Sequence, residues 1–115
     1  MSDLVLWHNP RCKKSCAALE LLNSRGLSPT IRLYLQDPPS QDELRAAIKA
    51  LGVPPGEIVR RGDAKWAELA LEDTSDEALI DAMAEHPILI ERPILFCEGD
   101  AAIGRPPENI LGLVS

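Results

Sequence analysis

A cysteine at position 12 stands where the sequence changes from a strand pattern to a helix pattern, at the end of the run HNPRC (residues 8–12). A thiol at such a corner meets unpaired backbone N–H groups and the positive end of the helix dipole. These donors favour the thiolate, which is the reactive form of cysteine. Arg11, Lys13 and Lys14 place three positive charges around the same corner. The pattern predicts a nucleophilic thiolate at Cys12 that holds an anionic substrate.

Four alternating segments in the first half of the chain would position this thiol. An apolar run predicts a strand over 3–7, and the spacing of apolar residues predicts a helix over 12–24. Period-two alternation predicts a second strand over 30–35, and Ser40, with a glutamate three residues later, starts a helix over 40–51. Because a strand-helix-strand-helix start favours parallel pairing, we expect both strands in one sheet, with helices covering it.

The second half of the chain is helical before it returns to strands. Short helical segments are predicted at three places, which are 54–57, 64–70 and 75–84. Two apolar runs at 92–96 and 101–104, separated by a turn with Gly99, then predict an antiparallel hairpin. Pro106 begins a last helix. Pro93 fits a strand edge or a first strand position if its bond is trans, and a cis bond is the alternative.

Composition limits the class of protein. The chain has 115 residues, is 45% hydrophobic and carries a formal net charge of −6. This length predicts a single domain over 1–115, and the negative charge argues against broad nucleic-acid binding. No signal peptide opens the chain and no apolar stretch approaches about 18 residues, so we expect a cytoplasmic protein without a membrane anchor. Three cysteines do not suggest a disulfide framework.

Several motifs together resemble one known family. The runs HNPRC at 8–12, HPILIERPI at 86–94 and GRP at 104–106 are similar to those of the glutaredoxin-coupled arsenate reductases, and most similar to a short bacterial branch. The resemblance implies an α/β, thioredoxin-like fold. In it, helices flank a mixed sheet of about four strands, with a helical insertion at about 54–86 before the C-terminal hairpin. It also implies a cis bond before Pro93.

The same resemblance implies an activity and a set of site residues. Cys12 would attack arsenate to form a thiolate-arsenic adduct, which glutathione and glutaredoxin resolve with release of arsenite. Glutathione is then a co-substrate, and no bound cofactor or metal is expected. The oxyanion-binding arginines would be Arg60, Arg92 and Arg105, with Arg61 as a one-residue alternative to the first. Arginine suits this role because its fork of N–H donors matches the oxygens of a tetrahedral oxyanion.

Further residues of the corner have less definite roles. The supporting residues expected around the thiol are His8, Asn9, Arg11 and Ser15. His8 is either a polarising neighbour of Cys12 or a hydrogen-bonded residue at the end of a strand. Cys16 stands where an arginine is common in arsenic-operon enzymes, and we interpret it first as an inner-face residue and second as a resolving thiol. Both cysteines lie in the helix predicted over 12–24, where their Cβ directions are parallel, so a Cys12–Cys16 disulfide would require the first helical turn to unwind. Cys97 has no partner that the sequence identifies.

Two other function classes share these features. Spx-type regulators have the same fold and dock on the RNA polymerase alpha subunit. They carry a C-x-x-C motif at the start of the first helix, whereas this chain has C-x-x-x-C. A general thiol-disulfide protein that uses Cys12 and Cys16 is the other alternative. The retained oxyanion arginines favour the enzyme. We expect a monomer that binds a small oxyanion, glutathione and glutaredoxin.

Overall fold

The structure is a computed structural model that describes residues 4–69, 74–97 and 99–114. The chain divides into two compact units. The first unit comprises Met1–Asp37 and Arg92–Ser115 and holds the β-sheet, and the second comprises Pro38–Glu91 and is helical. The expected helical insertion at about 54–86 falls within the second unit. The single domain over 1–115 stays a prediction.

The sheet has four strands in the order β2-β1-β3-β4. Its strands are β1 (Leu4–Trp7), β2 (Thr30–Arg32), β3 (Ile94–Cys97) and β4 (Asp100–Ile103). β1 pairs in parallel with β2 and antiparallel with β3, and β3 pairs antiparallel with β4. The predicted parallel pair and the predicted hairpin are therefore confirmed. Together with the helices of the first unit, this mixed sheet gives the expected α/β, thioredoxin-like fold.

Five α-helices accompany the sheet in the described part of the chain. They are α1 (Lys13–Ser24), α2 (Gln41–Leu51), α3 (Ala64–Leu69), α4 (Asp76–Glu85) and α5 (Leu111–Val114). Short 3-10 helices cover Pro55–Ile58, Pro87–Leu89 and Pro107–Ile110. Three residues of the predicted elements lie outside the described residues, and these are Asp3, Ala70 and Glu98.

One face of α1 packs on the sheet to form the core of the first unit. The buried residues of this core are Leu4, Leu6, Ala18, Leu22, Leu95 and Ile110. Ala18 and Leu22 are four positions apart and therefore lie on the same side of the helix. Their burial fixes the rotation of α1 about its axis. It thereby fixes which residues of the first helical turn point inward.

In the second unit, side-chain caps define where the helices begin. Ser40 is the N-cap of α2 and accepts the N–H of Glu43 at 3.1 Å, while the Glu43 carboxylate accepts the N–H of Ser40 at 3.0 Å. This is the predicted capping box. Ser75 caps α4 in the same way and accepts the N–H of Ala78 at 3.2 Å. Arg45 of α2 pairs with Glu77 of α4 at 2.6 Å.

The second strand is shorter than the alternating pattern predicts. It ends at Arg32, because the N–H groups of Gln36 and Asp37 both donate to the Leu33 carbonyl at 2.9 Å and close a turn. At the end of β2, the Arg32 carbonyl accepts the N–H of His8, the residue that follows β1, at 2.9 Å. After His8 the segment that follows β1 turns away toward Cys12. The residues after Arg32 therefore have no neighbouring strand with which to pair.

Two X-Pro bonds in the first unit are cis, at Arg92-Pro93 and Arg105-Pro106. The first was implied by the family resemblance, and the second was not predicted. Gly104 lies directly on the Pro93 ring, and its N–H donates to the Pro93 carbonyl at 2.9 Å. A Cβ at Gly104 would stand 2.7 Å from Cγ of Pro93 and 3.3 Å from Cγ2 of Ile110. Glycine is required here because a methyl group does not fit against the ring.

Replacement of Gly104 by alanine should therefore destabilise the protein. We expect Gly104→Ala to lower the free energy of unfolding by about 1–3 kcal/mol, since the added methyl group overpacks a buried contact. The measurement is urea unfolding followed by circular dichroism. Gly112→Ala is the matched control, because Gly112 lies in α5 and a Cβ at this position would meet no atom within 4 Å. Equal stability of the two variants would show that the Pro93 contact relaxes freely.

Candidate active site

Cys12 occupies the N-cap position of α1. Its backbone is extended, with φ −100° and ψ 122°, so the helix begins at Lys13 rather than at position 12. The loop before it is closed by Asn9, whose carbonyl accepts the N–H of Cys12 and whose side-chain Oδ1 accepts the N–H of Arg11, both at 3.0 Å. The loop therefore holds its shape through Asn9 and presents the Cys12 side chain at the helix start.

A buried serine ties this loop to the first turn of α1. Ser15 is fully buried, and its Oγ shares a 2.6 Å hydrogen bond with Nδ1 of His8 and accepts the N–H of Asn9 at 3.1 Å. Burial lowers the pKa of His8, so its imidazole is neutral near pH 7. His8 thus supports the corner through Ser15 as a neutral hydrogen-bonding group.

The sequence carries a signal for Ser15 that is easily overlooked. Ser15, Ala18 and Leu22 are spaced by three and four positions, which places them on one helix face, and all three are buried. The sequence pattern predicted Cys16, Leu19 and Leu22 on that face, with Ala18 as a further candidate. Leu22 and Ala18 are buried as expected, whereas Cys16 and Leu19 are half-buried. The buried stripe is therefore rotated by about one position. A polar residue on it must find a partner, which is the role of the His8 side chain.

The pKa of the Cys12 thiol lies below its usual value. Partial burial raises this pKa, but the N–H of Ser15, the charge of Arg92, the N–H of Lys14 and a hydrogen bond from the Arg92 side chain together outweigh it. The two N–H groups act on the sulfur as dipoles, because neither meets the geometry of a side-chain cap bond. Cys12 is consequently a partly exposed thiol that ionises more readily than an ordinary cysteine.

The charges that lower this pKa are not the ones that the sequence suggested. Arg11, Lys13 and Lys14 were expected to favour the thiolate. All three side chains are exposed, and their charges are not among the causes that act on Cys12 in the described part of the chain. The cation that acts is Arg92, which is 80 positions away in sequence. Exposed charges act weakly on the thiol because water and salt screen them.

Strand register explains why Arg92 reaches the thiol. Trp7 of β1 lies opposite Ile94 of β3, and Ile94 lies opposite Ile103 of β4. The segment that leads from β1 to Cys12 therefore lies beside the segment that leads from Arg92 into β3. The chain that leaves β4 is at the same end of the sheet, and Nε of Arg105 donates to the Arg92 carbonyl at 2.8 Å.

The structure thus groups Cys12, Arg92 and Arg105 at one end of the sheet. Arg105 is itself anchored by Asn109, whose side-chain amide donates to the Arg105 carbonyl at 2.9 Å. Both arginines are half-buried and both precede a cis proline. The family resemblance implied a shared role for these two arginines, and the structure puts them side by side.

Arg60 belongs to the second unit. Its N–H donates to the Leu89 carbonyl at 2.7 Å, and its Nη1 donates to the Ile88 carbonyl at 3.4 Å and lies 3.7 Å from the Asp63 carboxylate. Arg61 instead places its guanidinium over the Trp66 ring, 5.5 Å from the centroid. The oxyanion role of Arg60, and the alternative of Arg61, stay predictions.

All three cysteines are free thiols. The Cys16 thiol donates to the Pro10 carbonyl at 3.3 Å, and Cys97 lies half-buried at the end of β3. The expectation that a Cys12–Cys16 disulfide must unwind the helix assumed that both residues are helical. This premise is wrong, because Cys12 is the extended N-cap residue and its Cβ direction is not fixed by the helix.

Neither a metal-binding cluster nor a membrane-spanning helix lies within residues 4–69, 74–97 and 99–114. These residues contain no group of three or more His, Cys, Asp or Glu side chains that could hold a metal ion. None of their helices is both long and apolar enough to cross a membrane.

Fold and site define a thioredoxin-like protein with an acidic thiol at the start of its first helix and a cis proline beside it. The model of the ArsC family matches residues 7–113, and the chain belongs to this family.

Similar proteins cover almost the whole chain. An arsenate reductase of Neisseria meningitidis is 42% identical over 96% of this chain and 97% of its own. The uncharacterized protein YfgD of Escherichia coli is 45% identical over 97% of each chain. The solved structure of an arsenate reductase from Vibrio cholerae is 43% identical and has a TM-score of 0.94, with 96% of this chain and 97% of that chain covered.

Loss of the Arg92 charge should raise the pKa of Cys12. We expect Arg92→Gln to move the midpoint of the Cys12 alkylation rate toward the ordinary thiol value of about 8.5, so that alkylation slows near neutral pH. The rate is measured with iodoacetamide across pH, and the modified peptide is identified by mass. Arg25→Gln, at the opposite end of α1, is the control and should leave the midpoint unchanged. The same midpoint in Arg92→Gln and wild type would contradict the assignment.

Removal of the Ser15 hydroxyl should cost stability. Ser15→Ala leaves the N–H of Asn9 and the ring nitrogen of His8 without their buried partner, so we expect the free energy of unfolding to fall by about 1–3 kcal/mol. Ser24→Ala is the control, because the Ser24 hydroxyl is exposed and bonds the nearby Leu21 carbonyl within its own helix. Urea unfolding of both variants gives the comparison. A loss no larger than that of the control would mean that water replaces the hydroxyl.

Proposed function

We propose that this protein is an arsenate reductase in which Cys12 is the nucleophile, glutathione is the co-substrate and glutaredoxin reduces the resulting mixed disulfide. The observation that carries the proposal is that strand register brings Arg92 to the end of the sheet where Cys12 lies, and that the Arg92 side chain lowers the pKa of this thiol. The arsenate reductases of Neisseria meningitidis and Vibrio cholerae, similar over nearly their full length, support it. The reaction would take place in the cytoplasm, where thiols are kept reduced.

The main difficulty of the reaction is electrostatic. Arsenate is an anion near neutral pH, and it must approach a thiolate of the same sign. Two unit charges 4 Å apart repel by about 4 kcal/mol at an effective dielectric constant of 20. A guanidinium that contacts the thiolate offsets this repulsion, since the same planar group donates to sulfur and to an arsenate oxygen. Arg92 is suited to this double role because its side chain already lowers the pKa of Cys12, through its charge and as a donor.

The proposed cycle uses two thiols for the two electrons that arsenic gains. The Cys12 sulfur attacks arsenic, and one arsenate oxygen leaves as water after it takes up protons. A glutathione thiol supplies the second sulfur. The two sulfurs become a mixed disulfide, and arsenic leaves as arsenite with two more electrons. A glutaredoxin thiolate then attacks the glutathione sulfur of this mixed disulfide. Glutathione passes to glutaredoxin as a new mixed disulfide, and the Cys12 thiolate is released.

The remaining arginines are assigned by the same chemistry. Arg105 would bind a second oxygen of the oxyanion, because its Nε holds it against the backbone of Arg92 at the same end of the sheet. Arg60 is proposed as the third oxyanion ligand on the family resemblance alone. Asn9, Ser15 and His8 act as positioning residues, since their hydrogen bonds hold the loop and not the sulfur.

A coupled assay tests the proposal directly. We expect arsenate-dependent consumption of NADPH in the presence of glutathione, glutaredoxin and glutathione reductase. Cys12→Ser should abolish it while the protein stays folded, because serine is a favourable N-cap residue. Arg105→Gln should raise the KM for arsenate more than it lowers kcat. Cys16→Ser should keep most of the activity if glutathione is the resolving thiol.

Two results would contradict the proposal in different ways. Absence of arsenate-dependent turnover, with normal thiol reactivity of Cys12, would exclude arsenate as a substrate and favour a regulator of the Spx type. Loss of turnover in Cys16→Ser, with a Cys12–Cys16 disulfide found by mass spectrometry in the oxidised wild type, would indicate a thiol-disulfide protein. The extended backbone of Cys12 keeps this second outcome open to experiment.

A further inference from the structure

Three cationic residues are sequence neighbours of Cys12 at the start of α1, and we call them the basic rim. It consists of Arg11, which precedes the N-cap, and of Lys13 and Lys14, the first two residues of α1. All three side chains are exposed. Among the residues that the structure describes, no acidic side chain forms an ion pair with any of them. Within the described part of the chain, the rim is therefore positive charge outside any ion pair, on a protein whose net charge is −6.

The basic rim does not serve the stability of α1. Positive charge is unfavourable at a helix N-terminus, where the dipole favours carboxylates. The other long helices follow this rule, with Asp42 and Glu43 in the first turn of α2 and two acidic residues in the first turn of α4. The first turn of α1 holds no acidic residue and has Lys13 and Lys14 instead. Their presence needs an explanation other than folding.

The rim does not explain the acidity of the thiol either. The pKa of Cys12 is lowered by backbone N–H groups and by Arg92, and not by the three rim side chains. Arg92 and Arg105 are moreover half-buried, whereas the rim is exposed. Charges that neither stabilise the helix nor tune the thiol remain available to whatever approaches Cys12 from solvent.

We propose that the basic rim selects, by charge, the small thiol that reacts at Cys12, and that it favours thiols bearing carboxylates over neutral or cationic ones. This inference rests on the proposed function, in which an external thiol resolves the Cys12 adduct, and it names the chemical class of that thiol. Lysine suits such a role because its flexible ammonium follows a mobile carboxylate without a fixed geometry. Charges at a site entrance raise the rates of oppositely charged reactants by about 10-fold or more, and salt removes the effect.

A thiol-exchange experiment without arsenate tests the inference. The starting protein is Cys16→Ser/Cys97→Ser, in which Cys12 is the only thiol, converted to its mixed disulfide with 2-thiopyridine. An attacking thiolate bonds to the Cys12 sulfur and releases pyridine-2-thiolate, which takes up a proton and is followed by its absorbance as 2-thiopyridone. The probes are 3-mercaptopropionate, 2-mercaptoethanol and cysteamine, which are anionic, neutral and cationic. Each rate is expressed per concentration of thiolate.

The readout is the ratio of the anionic to the neutral rate, which cancels any change in the reactivity of the Cys12 disulfide itself. We expect Lys13→Gln/Lys14→Gln to lower this ratio by about 3–10-fold at low salt. Adding Arg11→Gln to this variant should lower the ratio further. High salt should lower the ratio in the parent protein, which keeps all three cations of the rim. The control Arg25→Gln/Lys49→Gln removes two exposed cations elsewhere and should leave the ratio within about 2-fold.

Thermal unfolding shows whether the rim variant remains folded. Lys13→Gln/Lys14→Gln should melt at the same or a higher temperature than its parent, because two unfavourable charges leave the helix N-terminus. A ratio equal to that of the parent, or equally lowered in the control, would overturn the inference. Because no arsenate is present, failure of arsenate reduction leaves this result intact. If the protein reduces arsenate but Lys13→Gln/Lys14→Gln leaves the ratio unchanged, the role proposed for the basic rim is wrong and the proposed function stands.

Discussion

The need to stabilise a negative charge on the Cys12 sulfur is the constraint on which the candidate site depends. A thiolate at a half-buried position is unfavourable unless donors face it, and partial burial indeed raises the pKa of this thiol. The compensation comes from two sources that differ in kind. Backbone N–H groups of Lys14 and Ser15 are supplied by the start of α1, and a full charge is supplied by Arg92. Lys14 and Ser15 are close to Cys12 in sequence, but Arg92 is 80 positions away, so the fold has to bring the second source to the thiol.

The antiparallel pairing of β1 with β3 performs this task. With Trp7 opposite Ile94, the end of β1 and the beginning of β3 lie at the same edge of the sheet. The site then forms from the two loops at that edge, and the end of β4 adds Arg105. The contact of Gly104 with Pro93 holds the last of these loops against the strand. The geometry of the site is therefore a consequence of strand register, which buried side chains determine.

The sequence predicted the elements better than their mutual contacts. The strand-helix-strand start, the hairpin and the cap at Ser40 follow from local patterns and are confirmed. The end of β2 could not be predicted, because it depends on where the neighbouring chain leaves the sheet. Likewise, local charge suggested that Lys13 and Lys14 acidify Cys12, whereas the charge that acts comes from Arg92. Only the family resemblance grouped that arginine with the thiol before the structure did.

The hydrogen bonds of the 8–12 loop bypass the sulfur of Cys12. They run between Asn9, Ser15 and His8, and no side-chain cap bond involves the cysteine. The sulfur can consequently exchange one covalent partner for another while every bond that shapes the loop persists. The scaffold and the reacting atom are mechanically separate, so each catalytic cycle would begin and end on the same backbone without a rearrangement to reverse.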